Sequence, residues 1–183
     1  MVSNFSHNIE MKHFFLVIFF FMFMEYSQRP PILQSVWYIP HVTAYAISYL
    51  LLIGAFICAV SELAHHVNLL KSKKSTKIST GKICDLLVHF GTISFGFGIC
   101  FGALWAKKSW GEYWSWDIKE TAALITWSIF LLFIHLQKFT KIKRNFLLFI
   151  LIIGFLSLQF TWYGVNFMKI AKKSPHTFYN LQR

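Results

Sequence analysis

The sequence predicts an all-α protein, a polytopic bundle of about five transmembrane helices with a tryptophan-rich segment facing the outer compartment. Three observations predict it. Of 183 residues, 56% are hydrophobic, 19% aromatic and only 14% charged, where a soluble domain carries about a quarter charged residues. The charges are clustered, and the gaps between clusters are apolar runs long enough to cross a bilayer. Most clusters are short and basic, as loops on the cytoplasmic side of a membrane are. The chain therefore reads as a single membrane domain over residues 1–183.

Taken in order, the first apolar run is Phe14–Met24, Phe-rich and followed by Glu25, Pro30 and Pro31. Its flanks, Ile9–Tyr26, bring it near the ~20 residues of a span. No A-x-A-like cleavage site follows, so a retained span is expected in preference to a signal peptide. The remaining spans are expected near Val42–Val60, Leu86–Ala106, Thr121–Ile134 with its flanks, and Phe146–Met168. Alternation then places Ser61–Lys82 and Gln137–Arg144 inside, where Lys71, Lys73, Lys74, Lys77, Lys82, Lys138, Lys141, Lys143 and Arg144 gather. It places Glu25–His41, Lys107–Glu120 and Lys169–Arg183 outside, the last with three lysines that run against the bias. Within the third run, Ser94, Gly98 and Gly102 recur every four residues, so one helix face is small enough for another helix to approach closely.

A net charge of +11 suggests nucleic-acid binding in isolation. Its confinement to loops between apolar runs excludes that reading, leaving the lipid bilayer as the partner the charge serves. Cys58, Cys84 and Cys100 are far apart and form no C-x-x-C, so neither a thioredoxin-like pair nor a zinc ribbon is available. C-x-x-C-H is absent too, so the chain is not itself a c-type cytochrome.

Chemistry concentrates in residues 105–127, W-A-K-K-S-W-G-E-Y-W-S-W-D-I-K-E-T-A-A-L-I-T-W. Trp110, Tyr113, Trp114 and Trp116 crowd the turn between two spans, and Asp117 and Glu120 follow at once. An interfacial belt explains one or two aromatics, not this density. Asp117 with Glu120 three residues on has the pattern of a capping box opening the next helix. An aromatic shelf with a fixed helix behind it suits a large planar ligand, whose iron, were it a haem, needs nitrogen ligands from elsewhere.

The run W-G-x-Y-W-S-W-D-x-K-E-T resembles the tryptophan-rich WWD signature of the cytochrome c assembly family, in its CcsA/ResC branch. Pro31–Val42 (P-I-L-Q-S-V-W-Y-I-P-H-V), Gly102–Ala106 and Tyr163–Asn166 are similar to that branch as well. The resemblance covers about Pro30 to Tyr179. It departs at Ile118, where the family usually has Pro, and at Ala122, where it usually has Trp. The chain is also short for the family.

Topology sets His41 and His176 on the outer side, one on each side of the shelf in sequence. Two imidazoles are a common way to fill both axial positions of a haem iron, and the resemblance implies the same pair as metal ligands. It also implies a membrane histidine after the WWD helix, matched by His135. His89, early in the third run, is a candidate on depth alone; His65 and His66 read as loop residues. The cofactor-binding set is thus His41, His176, His135, Trp110, Tyr113, Trp114, Trp116 and Asp117. The resemblance implies haem b, held non-covalently in transit, presented on the outer face for attachment to apocytochrome c through its C-x-x-C-H cysteines. It further implies a CcsB/ResB-like membrane partner and a bacterial cytoplasmic membrane, or an organellar one. No acid–base dyad or nucleophile stands out that would form a thioether alone, so the chain reads as a component of a synthase complex. Two alternatives remain: a haem export or relay subunit of CcmC type, against which K-E-T speaks, and a structural subunit whose aromatics anchor it at the interface.

Overall fold

The computed structural model describes residues 33–66, 77–139 and 142–167, and the regular elements among them are all helical. The expected first span at Phe14–Met24 and the tail carrying His176 lie outside the described residues. Four long helices follow one another: α1 (Tyr38–His66), α2 (Lys77–Trp110), α3 (Ile118–Leu136) and α4 (Arg144–Trp162), then a 3₁₀ turn at Gly164–Phe167. All four are long and apolar enough to cross a membrane. They correspond to the second to fifth predicted spans. The described residues thus hold four spans, where the whole chain was expected to have about five.

The helix ends differ from the sequence reading in instructive ways. α2 has 34 residues, so at 1.5 Å per residue it is about 50 Å long and carries Lys107 and Lys108 beyond the hydrocarbon. The last helix stops at Trp162 instead of running to Met168. Tyr163 closes it through an N–H bond to the Gln159 carbonyl, and Gly164 then packs against the Phe160 ring too closely to carry a Cβ. Apolar composition alone carried the prediction past that turn.

α1 and α2 form the most intimate pair, running antiparallel. The Ser48 hydroxyl donates to the Gly91 carbonyl at 2.9 Å and the Ser94 hydroxyl to the Ala44 carbonyl at 2.8 Å. A Cβ on Gly91 would fall 2.8 Å from Leu52, and one on Gly98 3.1 Å from the Tyr45 ring. The predicted small face of Ser94, Gly98 and Gly102 is therefore the contact face, and its reason is van der Waals packing where lipid offers no hydrophobic drive. α3 and α4 pair likewise, with Gly154 against Phe130 and Thr126 bonded to Ser157 at 2.7 Å and to Thr161 at 3.0 Å. Tyr49 joins α1 to α4 by donating to Gln159 at 2.9 Å, and the Trp127 indole joins α3 to α2 through the Thr92 carbonyl at 3.0 Å. Leu52, Val88, Phe95, Phe130, Phe133, Leu148, Leu151 and Leu158 fill the centre.

The two ends of the bundle differ in chemistry. One gathers the starts of α1 and α3 and the ends of α2 and α4, with most of the tryptophans. At the other, Arg144 makes a bidentate pair with Glu62, both bonds 3.0 Å, and reaches Asp85 at 2.7 Å. That clip fastens α1, α2 and α4 together.

Candidate functional site

The site begins with the turn between α2 and α3. α2 ends at Trp110, and Gly111 takes φ +92, which lets the chain reverse without a Cβ penalty. Lys107 reaches back to donate to the Gly111 carbonyl at 2.8 Å, and its ammonium lies 5.3 Å from the centre of the Tyr113 ring. The predicted capping box is present. Asp117 accepts from the N–H groups of Lys119 and Glu120, each at 2.8 Å. Glu120 reaches back and accepts from the N–H of Ser115 at 2.8 Å, the Ser115 hydroxyl at 3.2 Å and the N–H of Asp117 at 3.3 Å.

This cap changes the meaning of two motif residues. Both carboxylates satisfy N–H groups at the positive end of α3. The acids of W-D-x-K-E-T thus hold the shelf in place, and Asp117, expected to bind the cofactor, does its visible work on the backbone. Between Ser115 and Asp117, whose N–H groups both bond Glu120, Trp116 takes φ +58, an uncommon conformation for a bulky residue. Its side chain faces outward and is 70% exposed. Trp114 lies behind it, edge to face at 5.9 Å, and Tyr113 is exposed beside it. Beneath, Val165 of the 3₁₀ turn is buried against Ile118 and Ala122. The Y-G-V-N segment therefore supports the first turn of α3, and small Ala122 is part of that seat.

His41 is placed from the other side. It sits in the first turn of α1 after Pro40, a position where proline is tolerated. Its Nδ1 donates to the Gly98 carbonyl at 2.8 Å, and its ring stacks on Trp105 at 5.3 Å and meets Tyr45 edge-on at 4.9 Å. Gly102 makes room, since a Cβ there would lie 2.7 Å from the His41 ring. Trp105 in turn packs against Trp110 at 5.2 Å. A continuous chain of rings thus runs from His41 through Trp105 to the end of α2. Trp105, Tyr45 and Gly102 are the positioning residues that sequence reasoning passed over as ligand-side groups; the four-residue spacing of Gly98 and Gly102 was the signal available.

The other histidines stand apart. His135, matched above to a membrane histidine, is exposed on the outside of α3, its Nδ1 on the Leu131 carbonyl at 2.7 Å. The reason is register: Phe130 and Phe133 take the buried face, and position 135 falls on the stripe shared by Ile125 and Leu132. His89 is half-buried and bonds the Asp85 carbonyl at 2.6 Å, beside the Arg144 clip. The structure thus unites His41 with the tryptophan turn and leaves His135 and His89 toward the opposite end. Among the described residues no cluster of three or more His, Cys, Asp or Glu side chains could hold a bare metal ion.

These residues suit a haem better than an ion. A donating Nδ1 fixes the tautomer of His41 so that Nε2 carries the lone pair, the arrangement seen in metal-binding histidines. The surrounding surface is aromatic, and the indole N–H of Trp114 is buried without a hydrogen-bond partner among the described residues.

Comparison with known proteins identifies the family. The family model described as Cytochrome C assembly protein matches residues 2–171. The chain is 37% identical over 147 residues to cytochrome c biogenesis protein CcsA of Chlamydomonas reinhardtii, covering 76% of this chain and 40% of that protein. It is 32% identical to the CcsA of Trachelium caeruleum, covering 81% and 58%, and 28% identical to that of Fagopyrum esculentum subsp. ancestrale, covering 87% and 63%. The chain thus spans roughly half the length of these relatives. Four membrane-crossing helices, a capped tryptophan turn and these matches agree: the chain is a multi-pass membrane protein of the cytochrome c assembly family, on its CcsA branch.

Proposed function

We propose that this protein binds haem b non-covalently at its tryptophan-rich end and presents it on the outer face of the membrane for attachment to apocytochrome c. The observation that carries the reading is His41, its tautomer set by the Gly98 carbonyl and its ring stacked on Trp105 at the foot of the tryptophan turn. When bound, the haem supplies the iron that histidine coordinates and the vinyl groups that the C-x-x-C-H cysteines attack. The chain's own work is positional. His41 and His176 are the residues that would hold the haem iron, each through an imidazole nitrogen. Tyr113 and Trp116 offer exposed aromatic faces, and the Asp117–Glu120 box keeps that shelf at a fixed angle to α3. His135, on the outside of the bundle at the opposite end, serves uptake of haem there. Attachment itself needs a CcsB/ResB-like membrane partner. The reading holds alike for a bacterial cytoplasmic membrane and an organellar one.

The test is an absorption spectrum of the detergent-purified protein, co-expressed with that partner in haem-replete cells. A low-spin, six-coordinate b-type spectrum is expected, and His41→Ala and His176→Ala should each open a coordination site that free imidazole refills. A colourless preparation would instead favour a structural subunit anchored by its aromatics. Sidedness is tested separately: cysteine at Ser109 or Ser174 should react with an impermeant thiol reagent from outside, and cysteine at Ser75 should not.

A further inference from the structure

The tryptophan turn contains a hydrogen-bond donor with no acceptor among the described residues. The Nε1 of Trp114 is buried and has no partner among the described residues. An indole nitrogen can only donate, and buried tryptophans normally find an acceptor. Trp127 in this same molecule does so, through the Thr92 carbonyl at 3.0 Å. Leaving such a donor unmet is costly, and an acceptor arriving with a ligand removes that cost.

The nearby acids do not serve as that acceptor. The Oδ1 of Asp117 takes two backbone N–H groups, and the Oε2 of Glu120 takes two more and the Ser115 hydroxyl. What remains around the turn is cationic in part: Lys107 is pinned to it by the Gly111 carbonyl and the Tyr113 ring, and Lys108 is exposed beside it. Glu112, the remaining acid of the turn, is exposed, and the pinned ammonium of Lys107 favours an anionic oxygen acceptor over a neutral one at the turn. The Trp114 ring that carries the donor also packs edge to face against the outward-facing Trp116 ring, with ring centres 5.9 Å apart. A planar ligand lying on that shelf would bring its edge, not its centre, to Trp114.

We propose that the Trp114 indole N–H donates a hydrogen bond to a propionate carboxylate of the porphyrin, fixing which edge of the ring faces the turn. The inference rests on the haem reading above and deepens it: the shelf reads the orientation of its ligand as well as its flatness. An oriented edge matters because only one edge of the porphyrin carries the vinyl groups.

The experiment titrates the full chain, purified with its partner, with ferric haem and with its dimethyl ester, following the Soret band. Trp114→Phe keeps an aromatic ring and removes the donor. It should weaken binding of the free-acid haem about tenfold and leave ester binding within about twofold of the parent. Ultraviolet resonance Raman on the unsubstituted protein should show one tryptophan N–H becoming hydrogen-bonded when haem is added, and not with the ester. That second measurement stands if the variant fails to fold. Equal weakening of both ligands would assign Trp114 to stacking alone and overturn the proposal. So would no weakening of either, which would mean that a lipid headgroup or another part of the chain meets the donor. If the parent binds neither porphyrin, the haem reading itself falls, and this inference with it.

Discussion

Gly102 decides where His41 can be. A methyl group at 102 would lie 2.7 Å from the ring Cε1 and 2.8 Å from Nδ1, the nitrogen that bonds the Gly98 carbonyl. The ring is also held by Trp105 and Tyr45, so it has little room to slide. Gly102→Ala should therefore cost about 1–3 kcal/mol through overpacking and break the Nδ1 bond. Haem titration of the purified variant should show affinity reduced about tenfold or more, with insertion into the membrane unchanged; unaltered affinity would detach His41 from the site. The small-residue spacing of Ser94, Gly98 and Gly102 was readable from the chain, because four-residue spacing maps directly onto a helix face. That the face receives a histidine ring was not readable, since it depends on the register between α1 and α2. His135 shows the same limit from the other side: its depth was inferable, but its facing was set by Phe130 and Phe133 taking the core.

The start of α3 is the element most fully written in the local sequence. Asp117 and Glu120 sit three apart before an apolar run, and the capping box forms as that pattern predicts. What local pattern could not supply was the backbone just before the cap, where Trp116 takes φ +58 and its ring is exposed. The cap yields a prediction that separates scaffold from ligand. Asn is as good an N-cap as Asp, so Asp117→Asn should retain haem binding, whereas Asp117→Ala should destabilise the fold by about 1 kcal/mol. Equal loss of haem in both variants would show that the charge of Asp117, and not the cap, is what the site uses. Glu120→Ala should be harsher than Asp117→Ala, because it strips the acceptor from three donors, and Glu120 is only 8% exposed. Thermal unfolding in detergent, followed by circular dichroism, ranks the three variants.

Across the whole molecule, the tryptophan end and the Arg144 end perform separate work, and the sequence showed only the first. Arg144 reads as one more cytoplasmic loop charge beside Lys138, Lys141 and Lys143. In the structure its guanidinium clamps Glu62 with two bonds and Asp85 with a third, and it also reaches the Gly81 carbonyl at 3.4 Å. The hint lay in two acids, Glu62 and Asp85, placed near the ends of apolar helices where a lone carboxylate is costly. Glu62 is 7% exposed, so removing its partner strands a charge. Arg144→Met should accordingly lower stability by about 3–5 kcal/mol, seen as a lower melting temperature in detergent. Adding Glu62→Gln and Asp85→Asn to it should restore most of the loss, because the cost lies in the uncompensated carboxylates and not in the missing cation. The clip is at the far end from His41, and the helices between are packed by Leu52, Phe95, Phe130 and Leu158. The folded fraction of Arg144→Met should thus bind haem with an unchanged Soret maximum and affinity. A shifted spectrum in that fraction would mean that the spacing of α1, α2 and α4 at one end sets the geometry of His41 at the other, so that the bundle acts as a single lever.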